Sequence, residues 1–244
     1  MNFKKSIKIK VSLLFVIVLG IGLISVVMWQ KQEYISVLAK YSDQNTVIID
    51  AGHGGFDGGA VAADGTVEKD INLNISLTLE KLLKQGGFRV IMTRENDVST
   101  DDTESDKIAS KKKSDLQNRL NLMKDYPNAV FVSIHLNKFT TSAAFGSQVF
   151  YSRSDQSKFL GEHIQRSIVS LLQPENTRVN KQATSSTYLL HNATIPAVLV
   201  ECGFLSNKTE LEKLKQPIYQ NKMAFSIYCG IAEYFKEKYN GDQV

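Results

Sequence analysis

Cysteine is scarce: the 244 residues hold two, Cys202 and Cys229. Two cysteines make no disulfide framework, and these two form no Cys-x-x-Cys metal pair. Cys202 follows an apolar run and Cys229 sits in helix-like spacing, so both read as small core residues. A large excess of charge of either sign is lacking as well. The net charge is +4, and Lys4, Lys5, Lys8 and Lys10 lie in the first ten residues. No basic stripe interleaved with aromatics occurs, which argues against a nucleic-acid partner. A mildly basic balance still suits a polyanionic surface. No internal repeat occurs. No Gly-x-x-x-x-Gly-Lys-Ser/Thr follows the glycine-rich segment at 52–55, which argues against a nucleotide-binding loop.

Apolar residues are not lacking. They make up 43% of the chain against 22% charged, enough to bury a core, so disorder is not the expected state. One apolar run stands apart. Residues 11–29 carry no charge, and a helix needs about 20 apolar residues to span a hydrocarbon core. The run ends Val27-Met28-Trp29-Gln30, with bulky groups where a signal peptidase requires small ones. An uncleaved signal-anchor over 1–29 is therefore expected. The lysines before it predict a cytoplasmic N-terminus and an exported domain. Residues 30–45 read as a tether and 46–239 as one globular domain.

That domain alternates strands and helices. Thr46-Val47-Ile48-Ile49-Asp50 reads as a buried strand ending in the loop Ala51-Gly52-His53-Gly54-Gly55. Helical spacing follows from Val67, with Ile71, Ile75, Leu79 and Leu82 on one face and Gly86-Gly87 as the stop. Phe88 to Met92 is the next strand. The polar stretch 96–113 reads as a surface excursion. Ser114-Asp115-Leu116-Gln117 has the form of a capping box opening a helix to about Asp125. Ala129 to Ile134 is a buried strand, and Ser147 to Tyr151 alternates like an edge strand. Residues 157–172 are helical, Ala197 to Val200 form a last buried strand, and a helix over 219–239 closes the domain. The fold class is α/β: a mixed, mostly parallel sheet flanked by helices on both faces. Ligands of such sheets bind at the carboxyl ends of the strands.

His53, His135 and Glu201 each fall at such a strand end. Imidazole is a good zinc ligand, and a catalytic zinc needs three protein ligands and an open position. Glu68 is a candidate third ligand, since it shares the buried face of Ile71 and Ile75 one turn earlier. A charge that favours the helix dipole is the competing reading for it. Asp57 and Asp70 are less well aimed. Glu201 could exchange a proton with water and a leaving nitrogen, or close a buried ion pair with an Arg or Lys. Asn137 and Asn192 read as turn residues, with substrate binding as the competing reading. Arg94 and Arg119 read as partners of carboxylates such as Asp97.

Four segments in this order resemble the N-acetylmuramoyl-L-alanine amidase family, zinc amidase type 3. They are Val47 to Gly55, Glu68, Ser133-Ile134-His135-Leu136-Asn137, and Val200-Glu201-Cys202-Gly203-Phe204-Leu205-Ser206-Asn207. The resemblance covers about Thr46 to Phe235. It implies a Zn2+ ion held by His53, Glu68 and His135, with Glu201 as the catalytic glutamate. It further implies hydrolysis of the amide between N-acetylmuramic acid and L-alanine in peptidoglycan. With no wall-binding repeats beside the domain, the chain is most similar to the membrane-anchored sporulation and germination amidases. Self-regulating members carry an inserted helix that plugs the zinc site. The segment Phe139 to Gly146 is too short for one, which implies an open site controlled by a protein partner or by expression. Rival readings are a zinc carboxypeptidase, a glycan deacetylase, or a non-catalytic wall-binding module.

Overall fold

The computed structural model describes residues 45–241, with a few isolated positions between 20 and 29. The expected signal-anchor and tether lie almost wholly outside the described residues. Among the described residues no helix is long and apolar enough to cross a membrane.

Strands β1 (Thr46–Ala51), β2 (Arg89–Met92), β3 (Val130–Asn137), β4 (Gln148–Tyr151), β5 (Lys181–Gln182) and β6 (Ala197–Phe204) form one sheet in the order β2-β1-β3-β6-β4-β5. The first four in that order are mutually parallel, and β4 runs antiparallel to β6. The helices are α1 (Glu68–Gln85), α2 (Ile108–Asp125), α3 (Asp155–Leu171), α4 (Tyr188–His191), α5 (Lys208–Leu214) and α6 (Pro217–Gly241). The α/β class is therefore as the sequence implies.

Alternation along each strand divides the core. Val47, Ile49, Val132, Ile134 and Val200 face a large layer built on Ile75 and Leu79 of α1, Ile164 of α3 and Ile227 of α6. Each such fully buried aliphatic side chain contributes about 2 kcal/mol. Ile48, Phe131 and Ala197 face a thinner layer made with Leu120 and Met123 of α2 and Leu189 and Leu190 of α4. Asp50, Ser133, His135 and Glu201 continue this second alternation toward the strand ends. Polar groups thus end the thinner face, where the chain can still reach solvent.

Two boundaries differ from expectation. Helix α2 begins at Ile108, not at Ser114, because Lys107 O already accepts from Ser110 N at 2.9 Å and Lys111 N at 3.1 Å. Ser114 caps nothing: its hydroxyl donates to Asp102 Oδ1 at 2.6 Å, and Gln117 Nε2 donates to Asn121 Oδ1 at 3.1 Å. Ala and Lys at 109–113 are good helix formers, and their lack of an apolar stripe hid the first turns. Strand β4 is not the edge either. Lys181 and Gln182 pair with Phe150 and Tyr151, a contact too short to leave an alternation in the sequence.

Candidate active site

The site starts where β1 stops. Gly52 N donates to Ile134 O at 3.1 Å, which carries the chain past the sheet. His53 then adopts φ +64°, a left-handed conformation uncommon outside glycine. Gly54 and Asp57 close the turn with reciprocal backbone hydrogen bonds of 2.9 and 3.0 Å. Gly52 is required by contact. A Cβ there would lie 2.4 Å from both Cε1 and Nε2 of His135.

Two buried arginines hold this loop. Arg119 donates to Ala51 O at 3.0 Å and His53 O at 2.8 Å, and pairs with Asp115 at 2.8 Å and with Asp50. Arg94 donates to Ala51 O at 2.9 Å, Gly52 O at 3.1 Å, Asn96 O at 3.0 Å and Lys69 O at 2.8 Å. The expectation that Arg94 pairs with a carboxylate is thus corrected, because loop carbonyls that leave the sheet need donors. Asp97 is instead taken by Lys69 at 2.7 Å and Gly55 N at 2.9 Å. Burial alone would raise the Asp50 carboxyl, but the Arg119 charge and the Ser133 hydrogen bond outweigh it and hold the group below its usual range.

Glu68, first residue of α1 and 3% exposed, reaches over the strand ends. Its Oε1 lies 3.0 Å from His135 Nδ1 and 3.3 Å from His53 Nε2. The same carboxylate accepts from Ala60 N at 2.8 Å, Leu136 N at 3.0 Å and Asn72 Nδ2 at 3.2 Å. The two imidazoles stand edge to face with centroids 4.9 Å apart. One ligand-type atom from each of His53, Glu68 and His135 lies within 4.8 Å of the other two. Asp57 Oδ2 sits 2.9 Å from the far nitrogen, Nδ1, of His53. Burial opposes a charge on His53, but Glu68 and Asp57 overcome it and push the ring up to about 9. The Glu68 carboxyl is held well below the usual range: burial is outweighed by its two histidines. A cluster that attracts positive charge so strongly, through two imidazoles and a carboxylate, is competent to hold a divalent cation.

Glu201 faces this cluster. It is paired in register with His135 across β3 and β6, beside an irregularity between His135 and Asn137. Its Oε2 is buried and has no hydrogen-bond partner among the described residues. Burial, with the negative charge of Glu68, pushes its carboxyl up to about 7 against the pull of His135 and His53. Among the described residues no arginine or lysine forms an ion pair with it.

All four residues singled out from the sequence therefore meet at one place. Asp57 backs His53, and Asp70 is exposed on α1. Asn192 Nδ2 donates to Tyr188 O at 2.8 Å, a turn role as expected. The sequence reading missed Asn72, whose Nδ2 bridges Glu68 and Gly52 O at 3.2 Å each. Its signal was available: it lies one turn after Glu68 on the same face of a helix.

Fold and site define an α/β domain with a metal-competent cluster and a buried carboxyl with an unpartnered oxygen at its strand ends. A family model described as N-acetylmuramoyl-L-alanine amidase matches residues 47–233. The chain is 36% identical over 197 residues to the germination-specific N-acetylmuramoyl-L-alanine amidase of Bacillus subtilis, covering 79% of this chain and 80% of that relative. It is 42% identical to the CwlD amidase from Clostridioides difficile, solved in complex with the GerS lipoprotein, with a TM-score of 0.76 over 79% of this chain and 98% of that one. An N-acetylmuramoyl-L-alanine amidase from Clostridium difficile 630 is 32% identical, with a TM-score of 0.69 over 81% of this chain and 100% of that one. The chain belongs to the N-acetylmuramoyl-L-alanine amidase family, and it is a peptidoglycan amidase.

Proposed function

We propose that the protein hydrolyses the amide joining N-acetylmuramic acid to L-alanine with a zinc ion held by His53, Glu68 and His135, and with Glu201 as the catalytic carboxylate. The observation that carries this reading is the convergence of three ligand-type atoms beside a buried carboxyl with an unpartnered oxygen. Two histidines and one carboxylate are a known ligand set for catalytic zinc, leaving a further position for water or substrate. Asp57 behind His53 is the outer carboxylate that fixes ring and tautomer in such sites. Bound there, zinc would supply Lewis acidity, acidifying a water and offsetting charge on the amide oxygen.

The chain's own residues do the rest. Glu201 takes the proton of the attacking water on its unpartnered oxygen. It passes that proton to the alanine nitrogen as the C–N bond breaks. The arginine-held loop keeps the His53 ring in place throughout.

A role in spore cortex maturation or germination belongs to the same proposal. The likeness to the germination-specific amidase of Bacillus subtilis and to CwlD supports it. The CwlD–GerS complex supports a regulatory protein partner. A membrane-anchored, extracytoplasmic location fits both the substrate and the apolar run at 11–29.

Mass spectrometry of products from defined muropeptides tests the reaction. Intact stem peptide with a free alanine amine is expected, its release stopped by a chelator and restored by zinc. A free amino acid or free acetate as the product would contradict the amide assignment, and chelator-resistant release would remove the metal. Gly52→Ala is expected to displace the His135 ring and to strain the pairing with β3, since its Cβ would also lie 2.7 Å from Ile134 O, and so to lower zinc affinity by about tenfold or more. Stoichiometric zinc in that variant would show that His135 is not held where the loop places it.

A further inference from the structure

A cleft of about 240 Å³ opens beside the cluster, and Lys112 forms part of its wall together with His53, Asp57 and His135. Lys112 Nζ lies 3.0 Å from Asp57 Oδ1, and Asp57 Oδ2 lies 2.9 Å from His53 Nδ1. Only a carboxylate and an imidazole ring separate this ammonium from the Glu68 end of the cluster. An ammonium has three N–H donors, and Asp57 takes one. The side chain is 50% exposed, so the others can meet a ligand entering the cleft.

Asp57 does not depend on Lys112, since it also takes His53 Nδ1 and accepts from Gly59 N at 3.4 Å. Nor does helix α2 gain from the charge. Its first turn has no acidic residue, while Lys107, Lys111, Lys112 and Lys113 crowd its start. Positive charge at a helix N-terminus opposes the dipole. Lys112 thus has one local partner, Asp57, and keeps donors to spare at a wall that also carries Asp115 and Arg119.

The substrate supplies an anion for them. A peptidoglycan stem carries a carboxyl on its second residue, present as the free acid or as the amide. Two extended residues reach about 7 Å from the scissile bond. We infer that Lys112 is a specificity-determining residue that binds the free carboxylate of the stem's second residue; the inference rests on the amidase activity of the same cleft. Its ammonium pairs with the acid and finds no charge on the amide.

The experiment uses the full chain and two muropeptides that differ only in that carboxyl, acid against amide. The readout is the ratio of their kcat/KM values. A preference of about fivefold for the acid is expected at low salt, the scale of an exposed ion pair. The ratio should fall toward one in Lys112→Met, and in the unaltered protein as salt rises. Lys112→Arg should keep the preference, and Lys113→Met, exposed on the same turn but outside the cleft wall, should not change it. A ratio near one in the unaltered protein, or an unchanged ratio in Lys112→Met, overturns the inference while leaving the amidase activity standing. Failure to cleave either muropeptide would overturn the activity and the inference with it.

Discussion

Glu201→Gln is expected to lose about three orders of magnitude in kcat, the scale of a positioned general acid and base. It should retain one zinc per chain after dialysis, because the proposed ligand atoms belong to His53, Glu68 and His135. Its thermal midpoint should not fall. The oxygen replaced by an amide group has no hydrogen-bond partner to lose, and the buried charge is removed. Peptide release from a defined muropeptide, metal content and thermal unfolding measure the three parts. Hydrolysis near the unaltered rate would end the role given to Glu201. Loss of zinc would move this carboxylate into the ligand set.

Arg119→Met is expected to cost about 4 kcal/mol, because it leaves Asp50 buried and uncompensated. Two backbone carbonyls, Ala51 O and His53 O, lose a donor at the same time. In a domain of this size that corresponds to a fall of roughly 10 °C in Tm. Lysine should not rescue it. A single ammonium cannot reach Asp50, Asp115 and both carbonyls as the guanidinium fork does. The pH dependence follows from Asp50, whose carboxyl is held below its ordinary range in the folded protein. Stability from such a group is complete above the unfolded value, near 4, and is lost as pH falls through the lower folded value. The unfolded chains titrate alike, so the deficit of Arg119→Met should shrink steadily as pH falls, beginning above pH 4 because the buried Asp50 of the variant, without its guanidinium, takes up a proton at a raised pH. Urea midpoints across that range measure it. A deficit under 1 kcal/mol at pH 7, or one that grows in acid, would mean that the Asp50 pair does not carry the loop.

The sequence made the chemistry more legible than its support. His53, His135 and Glu201 could be found because each follows a short apolar strand, and strand ends are where open sheets bind ligands. Glu68 was ambiguous on its helix, and the four-segment resemblance to the amidase family is what favoured it. The arginine clamp was not legible in the same way. Arg119 meets the carbonyls of Ala51 and His53 only through the packing of α2 against β1. A carbonyl's need for a donor leaves no trace in its side chain. Arg94 was misread for the same reason. The start of α2 was missed because Ile108 to Lys113 are helical without an apolar stripe, and β5 because two residues set no period.

The register of β3 against β6 has a consequence for how the enzyme comes into being. His135 and Glu201 are side by side only because those strands pair, yet β4, α3, β5 and α4 intervene along the chain. Such distant pairing forms late and is slow relative to local helices. A chain still short of that pairing lacks the Glu201 carboxyl beside His135. Under the role proposed for Glu201, a partly folded chain is therefore expected to be inert toward the wall until β3 and β6 have paired.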